Sequence, residues 1–176
     1  MTITGEKLND WIESMSSLAD QFMQSFEDIH GFEPDENELI EAGELREVGH
    51  PALHGMNVPN DLSAFYSRVE EVSLPDVGNG IFIHSPEFVA AGLAGEQPTR
   101  LAGSVVDSIT VFGSDGGGGL LALGSDGCTV YHLSGGSLIG PTYETDSSNV
   151  RITASSLWEF LEQVRSELKS ASDRDG

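Results

Sequence analysis

Basic residues are scarce in this chain: eight Lys and Arg in 176 residues, with lysine only at Lys7 and Lys169. Against 29 Asp and Glu the formal charge is 8 − 29 = −21. Neutralising a phosphate backbone takes clustered Lys and Arg, so the charge argues strongly against a nucleic-acid binder, and no nucleic-acid partner is expected. Docking on anionic lipid is disfavoured for the same reason. Cysteine is nearly absent too. Cys128 stands alone, which rules out an internal disulfide framework and makes a reducing, cytoplasmic setting the expectation. No apolar run approaches the roughly 18–20 residues of a membrane span. The opening MTITGEKLND lacks the basic and apolar regions of a secretory signal.

What is present is an ordinary globular composition, 38% hydrophobic and 21% charged, enough for one core without cross-links. The acidity admits two meanings. It suits a basic protein partner, because opposite fields speed association. It also suits plain solubility, or a proteome adapted to salt. The charge is uneven: residues 1–48 hold 13 acidic and 2 basic residues, 2 − 13 = −11. Residues 103–140 hold eleven of the 21 glycines and predict short strands with tight turns.

Leu8, Trp11, Ile12, Met15, Ala19, Phe22, Met23 and Phe26 follow the spacing of an amphipathic helix. Thr4 is the expected N-cap and Gly31 the expected stop. Pro34 opens a second expected helix, Glu36–Leu45, with Leu39 and Ile40 inward and Gly43 weakening it. Another follows Pro59, with Leu62, Phe65, Tyr66 and Val69 as its apolar face. Gly80–His84 reads as a strand, and Ser85-Pro86 as the cap and first position of a brief helix. Val105–Phe112, Leu120–Leu123 and Cys128–Leu133 predict a three-stranded antiparallel meander, because Asp126-Gly127 between apolar runs is a hairpin signal. Leu138–Ile139 and Val150–Ile152 are candidate short edge strands. Ser156-x-x-Glu159 is a capping box ahead of the stripe Leu157, Phe160, Leu161, Val164 and Leu168. The class is therefore α+β: an antiparallel-rich sheet with a Gly-rich meander, N-terminal helices, and a C-terminal helix packed on one sheet face. The organisation expected is an N-terminal amphipathic helix (1–30) packed on an α+β domain (31–169), with a flexible tail (170–176).

Candidate chemistry is thin. The run Ser114-Asp115-Gly116-Gly117-Gly118-Gly119 has no following Gly-Lys-Ser/Thr and opens no βαβ unit, so it is no phosphate loop. The two Gly-Ser-Asp-Gly segments lack the ligand set of a calcium loop. His50 and His54 are separated by Pro51 and have no third ligand at suitable spacing. Cys128 has no obvious activating base. No nucleophile elbow, zincin helix or kinase set is present. No enzyme activity, cofactor or metal is expected.

The order of these pieces resembles the SUKH superfamily, the relatives of the Smi/Knr cell-wall assembly regulators. Gly31-Phe32-Glu33-Pro34, the acidic Glu38–Leu45 stretch and Val58-Pro59-Asn60-Asp61-Leu62-Ser63-Ala64-Phe65-Tyr66 are similar to its N-terminal half. Ile109–Leu123 with its Gly-rich turn, Asp126–Leu133, and Ala154–Leu161 are similar to its second half. The resemblance covers about residues 31–168, with helix one as an extension. An insertion, Arg46–Asn57, interrupts it, and the family's Asn-Gly comes late, at Asn79-Gly80. The resemblance implies a non-enzymatic binding module: in bacteria an immunity protein that neutralises a cognate polymorphic toxin, often a basic nuclease, by stoichiometric occlusion. The alternative it implies is a regulatory scaffold without a toxin. On the immunity reading the contact candidates are Asp115, Asp126, Glu144 and Asp146, with Tyr131 as an aromatic anchor. If Asp115 and Asp126 only build turns, replacing Asp126 costs stability and leaves partner affinity intact.

Overall fold

The computed structural model describes residues 2–44 and 49–174. Among the described residues are four α-helices: α1 (Gly5–His30), α2 (Asn60–Tyr66), α3 (Pro86–Ala91) and α4 (Leu157–Arg174). Ten strands accompany them: β1 (Glu38–Glu41), β2 (Val69–Leu74), β3 (Ile81–Ile83), β4 (Arg100–Gly103), β5 (Asp107–Asp115), β6 (Leu120–Gly124), β7 (Val130–Leu133), β8 (Leu138–Ile139), β9 (Thr142–Thr145) and β10 (Val150–Ala154). The class is α+β, as the sequence pattern predicts. No described helix is long and apolar enough to cross a membrane.

The nine-residue β5 organises the sheet. Its C-terminal half pairs with β3 (Ile83 opposite Gly113) and its first residues pair with β4 (Leu101 opposite Asp107). Its other edge carries the meander β5–β6–β7, which β10 extends. One path therefore runs β1-β2-β3-β5, and a branch continues through β4-β9-β8. The β4–β9 pair is parallel and the others are antiparallel.

Both faces of the meander are covered. Phe112, Leu123 and Val130 pack into the main core with the buried stripes of α1, α2 and α4. Val111, Ala122, Tyr131 and Leu133 face a second cluster completed by Leu101 of β4 and Tyr143 of β9. This is why β6 reads Leu-Leu-Ala-Leu: a strand buried on both sides needs an apolar run and not an alternation.

The helix ends follow the local chemistry. Thr4 Oγ1 accepts the Lys7 N–H at 3.4 Å, and Gly31, at φ 77°, sends its N–H to the Glu27 carbonyl, 2.8 Å. Ser85 caps α3 through the Phe88 N–H. In α4, Ser156 Oγ accepts the Glu159 N–H at 3.0 Å, while Glu159 reaches back to the Ser155 N–H at 2.6 Å, one residue earlier than the motif predicts.

Four expectations are corrected. Glu36–Leu45 is not a helix: β1 occupies Glu38–Glu41 and pairs with β2, and Leu45 lies outside the described residues. The cause is tertiary. Asn37, fully buried, donates to Asp76 Oδ2 at 2.8 Å and accepts the Asp76 N–H at 3.2 Å, which lays the next residues along the sheet edge. Ile40 then projects outward, 42% exposed, where a helix was expected to turn it in. Val69 starts β2 and does not extend the α2 face. Cys128 and Thr129 belong to the β6–β7 turn, because Asp126 Oδ1 accepts both of their N–H groups at 2.8 Å. Finally, α4 continues through residues 170–174, expected to be tail.

Candidate functional site

An open cleft of about 420 Å³ lies between α4 and the sheet, beside the Gly-rich turn. Ser114, Asp115, His132, Arg151, Gln163 and Glu167 supply its polar lining. Asp115 and His132 come together because β5, β6 and β7 are neighbours, so Ser114 faces Leu120 and Leu120 faces Leu133 across the meander. His132 Nε2 stands 2.6 Å from Asp115 Oδ2, while Asp115 Oδ1 accepts the N–H groups of Gly117 and Gly119, each at 2.8 Å. Burial pushes the Asp115 carboxyl up. The His132 bond and the two backbone N–H bonds outweigh it and hold the carboxyl below its usual range. Gly119 is required at this point: a Cβ there would sit 2.5 Å from Asp115 Oδ2 and 2.6 Å from His132 Nε2.

Next to this pair, Ser114 Oγ lies 2.7 Å from His84 Nε2. The His84 ring is held against Phe88, with centroids 4.2 Å apart, and its burial lowers its pKa. A serine nucleophile needs a base that is itself oriented by a third group. No carboxylate is hydrogen-bonded to His84 among the described residues. The Ser114–His84 pair thus buttresses β3 against β5.

One trio has metal-ligand composition: His50 Nε2 lies 3.3 Å from Glu70 and 3.5 Å from Glu87. The ring's other nitrogen decides its chemistry. His50 Nδ1 accepts the Ala52 N–H at 3.1 Å, so in the neutral ring the proton is on Nε2 and points at the carboxylates. A metal at Nε2 would need that lone pair. The trio is a donor–acceptor cluster that fixes the turn at Pro51–Leu53.

The contact candidates lie on separate elements: Asp115 ends β5, Asp126 is in the β6–β7 turn, Tyr131 is on β7, Glu144 on β9 and Asp146 in the turn after it. Asp115, the last residue of β5, and Asp126, in the β6–β7 turn, flank opposite ends of β6, a five-residue strand spanning roughly 17 Å. Each is a turn builder. Asp126 also accepts the Thr129 hydroxyl at 2.6 Å, and that bond with the Cys128 N–H holds its carboxyl below the usual range. Asp146 does the same for its own turn: the Ser148 hydroxyl and the N–H groups of Ser148 and Asn149 bond to it and lower its pKa. Glu144 is half-buried on β9, where its carbonyl accepts the Asn149 amide at 3.0 Å. Tyr131 is 7% exposed. Its hydroxyl donates to Asp107 Oδ2 at 2.9 Å, and burial with that bond pushes the phenol up to about 12. It packs in the second core and offers no ring to a partner, which corrects its role as an anchor.

The uncommitted charge is elsewhere. All twelve acidic residues between Glu6 and Glu44 are exposed: six along α1 and six from Glu33 to Glu44. Phe32, 60% exposed, sits among them, its ring edge-on to the buried Phe26 at 5.4 Å. The sequence signal for this region was the −11 over residues 1–48; the amphipathic pattern of α1 then puts the acids on the outer face.

No family model, no curated protein and no solved structure matches this chain.

Proposed function

We propose that the chain is a non-enzymatic acidic binding module of SUKH type, an immunity protein that neutralises a basic, nuclease-type toxin by one-to-one occlusion. The observation that carries this reading is the exposed, uncompensated charge of the N-terminal quarter: twelve exposed acids, with no basic residue but Lys7 among residues 2–44. Nuclease surfaces are basic because they bind phosphates, so this field steers them and is complementary when they dock.

The test is neutralisation. The toxin-like domain encoded beside this chain's gene is titrated with the purified chain, and its activity is expected to vanish at one equivalent. Full activity with the chain in excess, or a neighbouring gene that encodes no such domain, overturns the immunity reading in favour of a regulatory scaffold.

A further inference from the structure

The edge of the sheet at β1 is open. This strand ends the sheet and, among the described residues, pairs only with β2. An edge strand leaves alternate backbone N–H and C=O groups unpaired, a template that another extended chain can complete. Here the template is rigid. Leu39 packs against the main core, and Asn37 and Asp76 clamp the strand's approach through bonds in both directions. Glu38, Ile40 and Glu41 remain exposed. Just upstream, Phe32 presents an uncovered ring braced from behind by Phe26. Exposed aromatics held in place are the common anchors of protein interfaces.

Charge selects the occupant. A second copy pairing antiparallel at Glu38–Glu41 would set Glu38 opposite Glu41 at both ends, and like charges directly opposite destabilise a strand pair. Two chains of net charge −21 also repel one another at long range. A Lys- or Arg-bearing strand meets the reverse situation, with attraction to Glu38 and Glu41 in place of repulsion. The other exposed apolar edge, Leu138–Ile139 of β8, has no charge that would choose a partner.

We infer that the open edge of β1, with the Phe32 ring beside it, is where an extended segment of a basic protein docks and adds a strand to the sheet. The inference rests on the basic-partner reading and specifies its surface.

The test uses the full chain, isotope-labelled, titrated at low salt with the capped peptide Lys-Val-Arg-Val-Lys. The expected result is amide shifts and slowed hydrogen exchange concentrated at Glu38–Glu41, with a response at the Phe32 ring. Glu38→Lys/Glu41→Lys alters two exposed side chains and leaves the core untouched. It is expected to weaken the peptide by about tenfold or more, as loss of complementary charge and gain of repulsion dictate. Phe32→Ser tests the anchor separately and is also expected to weaken binding. Shifts spread along α1 or centred on the Asp126 or Asp146 turns, equal binding by the doubly reversed variant, or no binding at low salt each overturn the docking edge. Failure of the edge is distinguishable from failure of the wider reading. If the wild type and the reversed variant neutralise the toxin equally, the edge is wrong and the basic-partner reading stands.

Discussion

The indole N–H of Trp11 donates to the carbonyl of Leu161 at 2.9 Å, both groups buried, across 150 positions of sequence. That bond ties the first helix to the last, within a core that α1 and α4 share with the sheet. It has a direct consequence for stability. Trp11→Phe removes this buried bond, while the Leu161 carbonyl keeps its partner within α4, at an expected cost of about 0.5–1.5 kcal/mol. Removing residues 1–30 uncovers Leu161, Val164 and Leu168 together and is expected to abolish cooperative unfolding. Urea denaturation followed by fluorescence reports both.

Asp115 makes part of that stability pH-dependent. Its carboxyl is held low in the folded chain, below the roughly 3.9 of an unfolded Asp. A depressed carboxylate stabilises above its unfolded pKa, and that contribution is lost as pH falls through the folded value. Asp115→Asn is expected to cost about 1–2 kcal/mol at pH 7, reduced because the side chain is partly exposed. The gap between variant and parent closes below about pH 4. A gap that is constant from neutral to acid pH assigns the effect to packing instead.

Gly119→Ala tests the same turn from the backbone side. Its Cβ would meet Asp115 Oδ2 and His132 Nε2 at 2.5 and 2.6 Å. Parting the pair is expected to cost about 1–3 kcal/mol. The His132 ring resonances are expected to move toward those of an exposed histidine, which a histidine-resolved NMR spectrum shows.

Asp126 separates architecture from recognition. Its carboxylate caps the N–H groups of Cys128 and Thr129 and accepts the Thr129 hydroxyl. Asp126→Ala is expected to cost about 1 kcal/mol, at the modest end for a side-chain cap because the turn is solvated. Neutralisation of the partner is expected to be unchanged. A clear loss of neutralisation with little loss of stability would return the β6–β7 turn to the interface.

Long-period patterns were legible in the sequence and single-residue clamps were not. The stripe from Leu8 to Phe26 and that from Leu157 to Leu168 bury as their spacing requires. The Asp-Gly turn marks the β6–β7 hairpin. Glu38–Glu41 reads as helix locally because Glu and Leu favour one, and it becomes a strand through the remote Asn37–Asp76 clamp. β2 was hidden by Glu70 and Glu71, half-buried on a strand whose Val69, Val72 and Leu74 are in the core. β9, Thr-Tyr-Glu-Thr, does carry the alternation of a strand, and its composition could have revealed it. The cleft pairs, Asp115 with His132 and Ser114 with His84, are 17 and 30 residues apart. Only the pairing of β3, β5, β6 and β7 brings them together, and no local signal announces that. Tyr131 was expected as an aromatic anchor on the immunity reading; it is buried in the cluster that Leu101 of β4 and Tyr143 of β9 complete.

The measurement that tests the central claim most directly is affinity capture from the native host's lysate at moderate salt, with the tagged full chain as bait and the bound proteins weighed and identified. Recovery of one basic, toxin-like protein at near-equal stoichiometry, released as salt is raised, is the result expected of an acidic immunity module. Recovery of acidic or signalling proteins, or a partner whose retention does not change with salt, contradicts it.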